Sequence, residues 1–436
     1  MKFKTLIYIT LFVILLEGIL RKYILPGYTQ HLFVVKLVFL FLLWGKILYS
    51  KVSKEFRKSD YPYHVLFFLF FGYCVFNIFI SSFDPLVWFI GLISYFFYAV
   101  YALAVPIGFK SENNILYFMK AVICVSFVCY IFGILQYYLP PSHFLNRYAS
   151  DSSEYIALAG GSVRITSIFN YIAGFTTFIS FSLPITFLGY LISDRIWPKL
   201  FCLMVLSIGL FNVFATGSRA IVAYVFISKM IVLFSYNNLF RLKSKIKSLG
   251  FATFFVAVLF FLFANNYFDF DSYYTFNDRL SGVNDSSVGR VFWMLSAVPD
   301  AFDKVGFGGL GLGGTNNIVL SMGKGLGSGD NLWFLTNELD QLLSRIIIEI
   351  GLSGFFIYAS MMIFMMYDIC KKTSAIKDPN LKILSITLAS TIIQYFTMMN
   401  SNLFNWLGSV HFSLVVGFII CIYNVDKTKI NNYKNV

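Results

Sequence analysis

Apolar stretches of about twenty residues recur from one end of this chain to the other, and they leave few folds open. A hydrocarbon layer roughly 30 Å thick takes about 20 apolar residues per helix. Inside it every backbone N–H and C=O must find a partner, so only helices or closed barrels can cross. Barrel strands alternate apolar and polar residues, whereas runs such as FFVAVLFFLF (254–263) do not alternate at all. Charged residues make up 13% of the 436 positions, about half the share in soluble domains. The sequence therefore predicts an all-α polytopic membrane protein, with residues 1–436 forming a single integral membrane unit. The opening ITLFVILLEGILRKY carries no small-residue cleavage site and is read as a first span rather than a removed leader.

The hydrophobic pattern places twelve spans, at roughly 5–24, 31–49, 62–82, 86–108, 115–138, 168–192, 197–215, 218–236, 249–266, 342–370, 381–399 and 405–423. With that alternation 21 cations in the loops, tails and span ends fall on one side and 10 on the other. The cation-rich side is cytoplasmic by the positive-inside rule, and both termini lie there. The outward loops are then 139–167 and, between helices 9 and 10, the long 267–341. The net charge of +13 follows from these topogenic lysines, and no nucleic-acid partner is implied.

The two sides differ in kind as well as in number. On the cytoplasmic side 18 of 21 cations are lysine, whereas 7 of the 10 outward ones are arginine. Lysine suffices for topology. Arginine suits planar, bidentate contact with phosphate or carboxylate. An outward anionic ligand is one reading; pairing with the local acids Asp271, Asp278 and Asp285 is the other.

Some polar residues sit within or beside the spans. Glu17 and Arg21 are spaced for an i,i+4 pair, and Lys36 is expected to snorkel to the outer interface. Arg164 precedes the sixth span. Thr216-Gly217-Ser218 reads as a helix break, with Arg219 opening the next helix, where free N–H groups and the dipole favour an anion. In the long loop, Arg290 and Trp293 fit a short amphipathic helix at the membrane surface. The glycine run that includes Gly308, Gly311 and Gly313 lacks the βαβ context of a dinucleotide site. It is read as backbone that closes on a ligand or donates N–H groups to it. Glu338, Asp340 and Arg345 then enter span ten, with Asp340 and Ser344 on one face and Glu349 deeper. The six cysteines are expected to be buried small hydrophobes; with the four histidines they are scattered, and the pattern suggests no metal site.

Taken in order, GILQYYLP, RITSIFN, ATGSRA, GRVFW with GFGGLGLGG, and DQLLSRIIIEIGLSG resemble the O-antigen polymerase and O-antigen ligase family, and EGILRKYILPG resembles the start of some members. The resemblance covers roughly residues 130–354, and the rest by topology. It implies a GT-C-like membrane glycosyltransferase of the bacterial cytoplasmic (inner) membrane, acting without a metal or other cofactor. The implied donor is a glycan on undecaprenyl pyrophosphate, and the implied associates are a chain-length regulator and a flippase. Carried over, Arg219, Arg290 and Arg164 would bind pyrophosphate. Many members place a histidine eleven residues before the helix glycine; counting back from Gly351 gives Asp340 here. A carboxylate can accept the same proton, with Glu338 as the alternative base. The expected reaction is polymerisation of lipid-linked repeats with inversion at the anomeric carbon. Ligation to a lipid core or protein is the alternative within the family. A transporter of lipid-linked sugars is the alternative outside it, although no similarity between the two halves is visible.

Overall fold

A computed structural model describes residues 2–49, 61–81, 84–148, 158–159, 162–240, 299, 301–316, 319, 342–396 and 406–434. The helices are α1 (Phe3–Ile19, running into a wider π turn over Leu20–Ile24), α2 (Thr29–Tyr49), α3 (His64–Phe76), α4 (Pro85–Phe96), α5 (Val100–Gly108), α6 (Glu112–Tyr138) and α7 (Ile172–Ile192). They continue with α8 (Ile196–Ala215), α9 (Arg219–Phe240), α10 (Leu342–Ala375), α11 (Pro379–Thr391), the single turn α12 (Ile393–Phe396) and α13 (Trp406–Lys434). Among the described residues eight helices are long and apolar enough to cross a membrane, as expected of an all-α multi-pass protein. The stretch expected at 249–266 lies outside the described residues, as does most of the loop expected at 267–341. In the first expected loop, Leu158 and Ala159 pair antiparallel with Val163 and Ser162.

Local chemistry sets where the helices begin. Asp84 accepts from Leu86 N–H at 3.0 Å with Pro85 at the first helical position of α4. Ser111 caps α6, and Asp378 caps α11 ahead of Pro379. Side-chain oxygens of this kind satisfy N–H groups that a helix start leaves free, and proline loses nothing there. Burial pushes the Asp378 carboxyl up. Its bond from Lys429 and its two cap N–H groups outweigh burial and hold it below its ordinary value.

The central helices are α7 and α13, whose apolar windows are 78% and 89% enclosed. Helix α13 lies along α5, α11 and α7, and α7 lies against α8 and α9. One end of the bundle gathers the starts of α1 and α6 and the end of α13: Lys4 donates to Asn114 at 2.7 Å, and Lys429 bridges Glu112 and Asp378. The opposite end gathers the close of α1 and α6, the segment before α7, and the α8–α9 turn.

At that second end Glu17 and Arg21 pair at 3.1 Å as their spacing predicts. Lys36 does not snorkel. It is 1% exposed and lies 3.1 Å from the Glu17 carboxylate, because a buried ammonium is tolerated only when paired. Within the π turn Arg21 and Lys22, neighbours in sequence, are both buried. All six cysteines are free; four are buried as expected, whereas Cys124 and Cys370 are exposed.

Candidate functional site

Among the described residues, 164–170 form a buried or half-buried stretch outside the helices. Span six is expected to start near 168, but helix α7 begins at Ile172. The residues before it cross the protein interior as non-helical chain: Ile165, Thr166, Ser167, Ile168, Phe169 and Asn170 are all buried. Irregular backbone at such a position must be satisfied by protein groups. Gln136 meets most of that demand. Its Oε1 accepts from Thr166 N–H at 3.1 Å and Ser167 N–H at 2.7 Å, and its Nε2 donates to Ser167 O at 3.0 Å. Lys22 Nζ donates to the same carbonyl at 2.6 Å and to Thr166 Oγ1 at 2.7 Å. The Ser167 hydroxyl donates to Cys129 O at 2.6 Å. Ser167 has φ 50, alone among the described non-glycine residues in being positive. A left-handed non-glycine residue costs about 1–2 kcal/mol, which several hydrogen bonds at about 1 kcal/mol each can offset. Strain held this firmly is a common mark of a working site.

This segment ties Arg164 to the turn that precedes Arg219. Arg164 Nε donates to Thr216 O at 3.0 Å, and Ile165 N–H reaches Ala215 O at 3.5 Å. Thr216 closes α8, Gly217 turns with φ 62, and Arg219 is the first residue of α9. The arginine of one loop is therefore tied to the turn from which the other starts. The Arg219 side chain lies outside the described residues. So do Arg290, Glu338 and Asp340.

The glycine run occupies a different place, against a break in α10. Gly351 has φ 68 and ψ −179 in the middle of that helix, where a continuous span was expected. The interruption frees backbone groups, and residues 306–315 meet them. Leu310 N–H donates to Ile348 O at 2.8 Å, Gly311 N–H to Glu349 O at 3.0 Å, and Tyr73 Oη to Ile350 O at 2.8 Å. Leu352 and Ser353 N–H reach back to Gly306 and Phe307 carbonyls, each at 3.4 Å. Leu312 N–H takes Asn77 Oδ1 at 2.9 Å, while Gly308 O accepts from Asn77 Nδ2 at 3.3 Å. Gly313 sits against Gly91 of α4, so close that a Cβ on Gly91 would stand 2.6 Å from its nitrogen. The Leu310, Gly311 and Leu312 N–H groups are thus spent on the chain itself.

Glu349 pins the far end of this run. Its carboxylate accepts from Thr315 N–H at 3.1 Å, from the Thr315 hydroxyl, and from Tyr95 Oη at 2.9 Å. Arg345 Nε stands 3.8 Å away. A carboxylate so enclosed and so fully engaged holds structure together rather than taking protons from a substrate.

Sequence reasoning singled out RITSIFN but assigned only its arginine. It passed over Lys22, Gln136, Ser167 and Asn170. The available signal was the Thr-Ser pair inside an otherwise apolar run, which needs partners if buried, and a glutamine near the end of a span. Among the described residues no three His, Cys, Asp or Glu side chains gather as a metal set would. No protein-family model and no curated protein matches the sequence.

Proposed function

We propose that this chain is a membrane glycosyltransferase that polymerises lipid-linked oligosaccharide repeats on the outer side of a bacterial cytoplasmic membrane. Twelve spans with both termini cytoplasmic belong to this reading, as does an undecaprenyl-pyrophosphate donor. The observation that carries it is the bond from Arg164 to the turn that launches Arg219, within a buried and strained segment at one end of the bundle. It joins the arginine excess of the outward loops and the ordered motifs of the polymerase and ligase family.

The chemistry is a single displacement. The acceptor hydroxyl oxygen forms a bond to the anomeric carbon of the donor while the bond from that carbon to the diphosphate oxygen breaks. The bonding electrons leave with the diphosphate, and inversion follows. Arg219, Arg164 and Arg290 meet the charge that grows there, since fixed cations aimed at developing charge supply much of the rate enhancement in such transfers. The hydroxyl proton passes to Asp340, with Glu338 as the other candidate. The glycine run serves the site indirectly, by holding the broken α10 whose first residues follow those acids in sequence.

The deciding experiment is elongation by purified protein in detergent, where transport has no meaning. Lipid-linked repeats should be converted to longer lipid-linked chains with release of the diphosphate carrier. Transfer only to a lipid core or protein acceptor would make the enzyme a ligase. Absence of any transfer, with binding of the lipid retained, would favour the carrier reading instead.

A further inference from the structure

Asn170 is the one member of the irregular segment whose polar side chain has nothing to do. It is 4% exposed, and neither Oδ1 nor Nδ2 has a hydrogen-bond partner. A buried carboxamide left unsatisfied is costly, and a native chain that keeps one calls for an explanation. Its location suggests one. Asn170 stands two residues before α7, a helix of 21 residues whose start no side chain caps. At the other end of the same short segment is Arg164. Its neighbour Tyr171 is 49% exposed, with its ring 6.3 Å from that of Tyr148, whose hydroxyl bonds Arg164 O at 2.7 Å.

Resting on the glycosyltransferase reading, we infer that Asn170 is a sugar-recognition residue, binding a hydroxyl pair of the glycan next to the diphosphate that Arg164 serves. A carboxamide offers two donors and an acceptor side by side. Vicinal sugar hydroxyls match that set, one accepting and one donating. A phosphate offers acceptors alone and would leave Oδ1 unpaired; a polyprenyl tail offers nothing. The exposed Tyr171 ring beside it supplies an apolar face for the C–H side of a sugar ring, the amphipathic role to which tyrosine is suited.

The test compares wild type with Asn170→Leu, which keeps the branched arrangement of heavy atoms and removes both polar ones, in detergent. Each is titrated with the lipid-linked oligosaccharide and with bare polyprenyl diphosphate, and its unfolding temperature is recorded without ligand. Wild type should bind the sugar-bearing lipid about 10-fold more tightly than the bare one, the equivalent of one good hydrogen bond. Asn170→Leu should lose that preference, keep its affinity for the bare lipid, and unfold at the same or a higher temperature, because an unsatisfied buried amide has been removed. A variant that keeps the preference, or that unfolds at a lower temperature without ligand, would overturn the inference. If the leucine variant does not fold, Asn170→Ala carries the same binding comparison. Wild type that binds neither lipid would sink the glycosyltransferase reading itself, a result distinct from a lost sugar preference in the variant.

Discussion

Changing Arg219 or Arg164 to lysine should lower elongation of lipid-linked repeats by a factor of about 100 or more, although the charge is kept. Removing one fixed donor from an oxyanion-type site costs about 10²–10³ in turnover. Lysine fails here because it is a single flexible point charge, whereas guanidinium grips two oxygens in a fixed plane. Arg164 carries a second obligation: its Nε ties the buried segment to Thr216 O, a bond that lysine, with a methylene in place of Nε and its only donor one atom further out, cannot reproduce in the same geometry. Arg164→Lys should therefore also weaken substrate binding, whereas Arg219→Lys should act mainly on turnover. Arg290→Lys belongs in the same series. The readout is polymer length on a gel alongside membrane-inserted protein quantified from the same cells. Wild-type chain lengths from both Arg219→Lys and Arg164→Lys would end the claim that these guanidiniums meet the diphosphate.

Gly351→Ala should cost on the order of 4 kcal/mol of stability, combining an essentially glycine-only backbone conformation with the loss of two or three hydrogen bonds. The reason is both conformational and steric. At φ 68 and ψ −179 a side chain clashes with its own backbone. In addition, a Cβ there would stand 2.0 Å from Phe307 O and 2.6 Å from Gly309 N. The glycine run would have to withdraw, leaving the Ile348 and Glu349 carbonyls unmatched inside the bundle. Unfolding of the detergent-solubilised protein, followed by its own tryptophan and tyrosine signals, measures this directly. A midpoint within a degree or two of wild type would show that the run is not fastened to the break in the way described.

These two positions also show how far the sequence could be read. The apolar runs announced the helices because the bilayer period is coarse and insistent, and Glu17 with Arg21 followed from helical spacing alone. The T-G-S-R turn was legible because hydroxyl, glycine and cation each have a known place at helix ends. The break at Gly351 was not. A lone glycine in an apolar run gives no local sign that its helix is interrupted, since the cause lies some forty residues earlier, in a loop that supplies the missing partners. The fate of the glycine run was hidden for the same reason: Leu310 and Gly311 N–H groups look available until Ile348 and Glu349 carbonyls are seen to need them. Lys36 was misplaced because Glu17 had already been assigned to Arg21, and one carboxylate serving two cations across two helices is invisible to spacing rules.

The grip on Ser167 has a consequence for how the protein is made. Each bond named above as holding residues 164–168 links them to Lys22, Cys129, Gln136, Tyr148, Ala215 or Thr216. All of these have been synthesised by the time the chain reaches residue 216, about halfway along its 436 residues. Chains commonly fold from the N-terminal side as they emerge, so the arginine-bearing end can be completed while the second half is still being translated. The later helices are then laid against a finished surface instead of having to shape it.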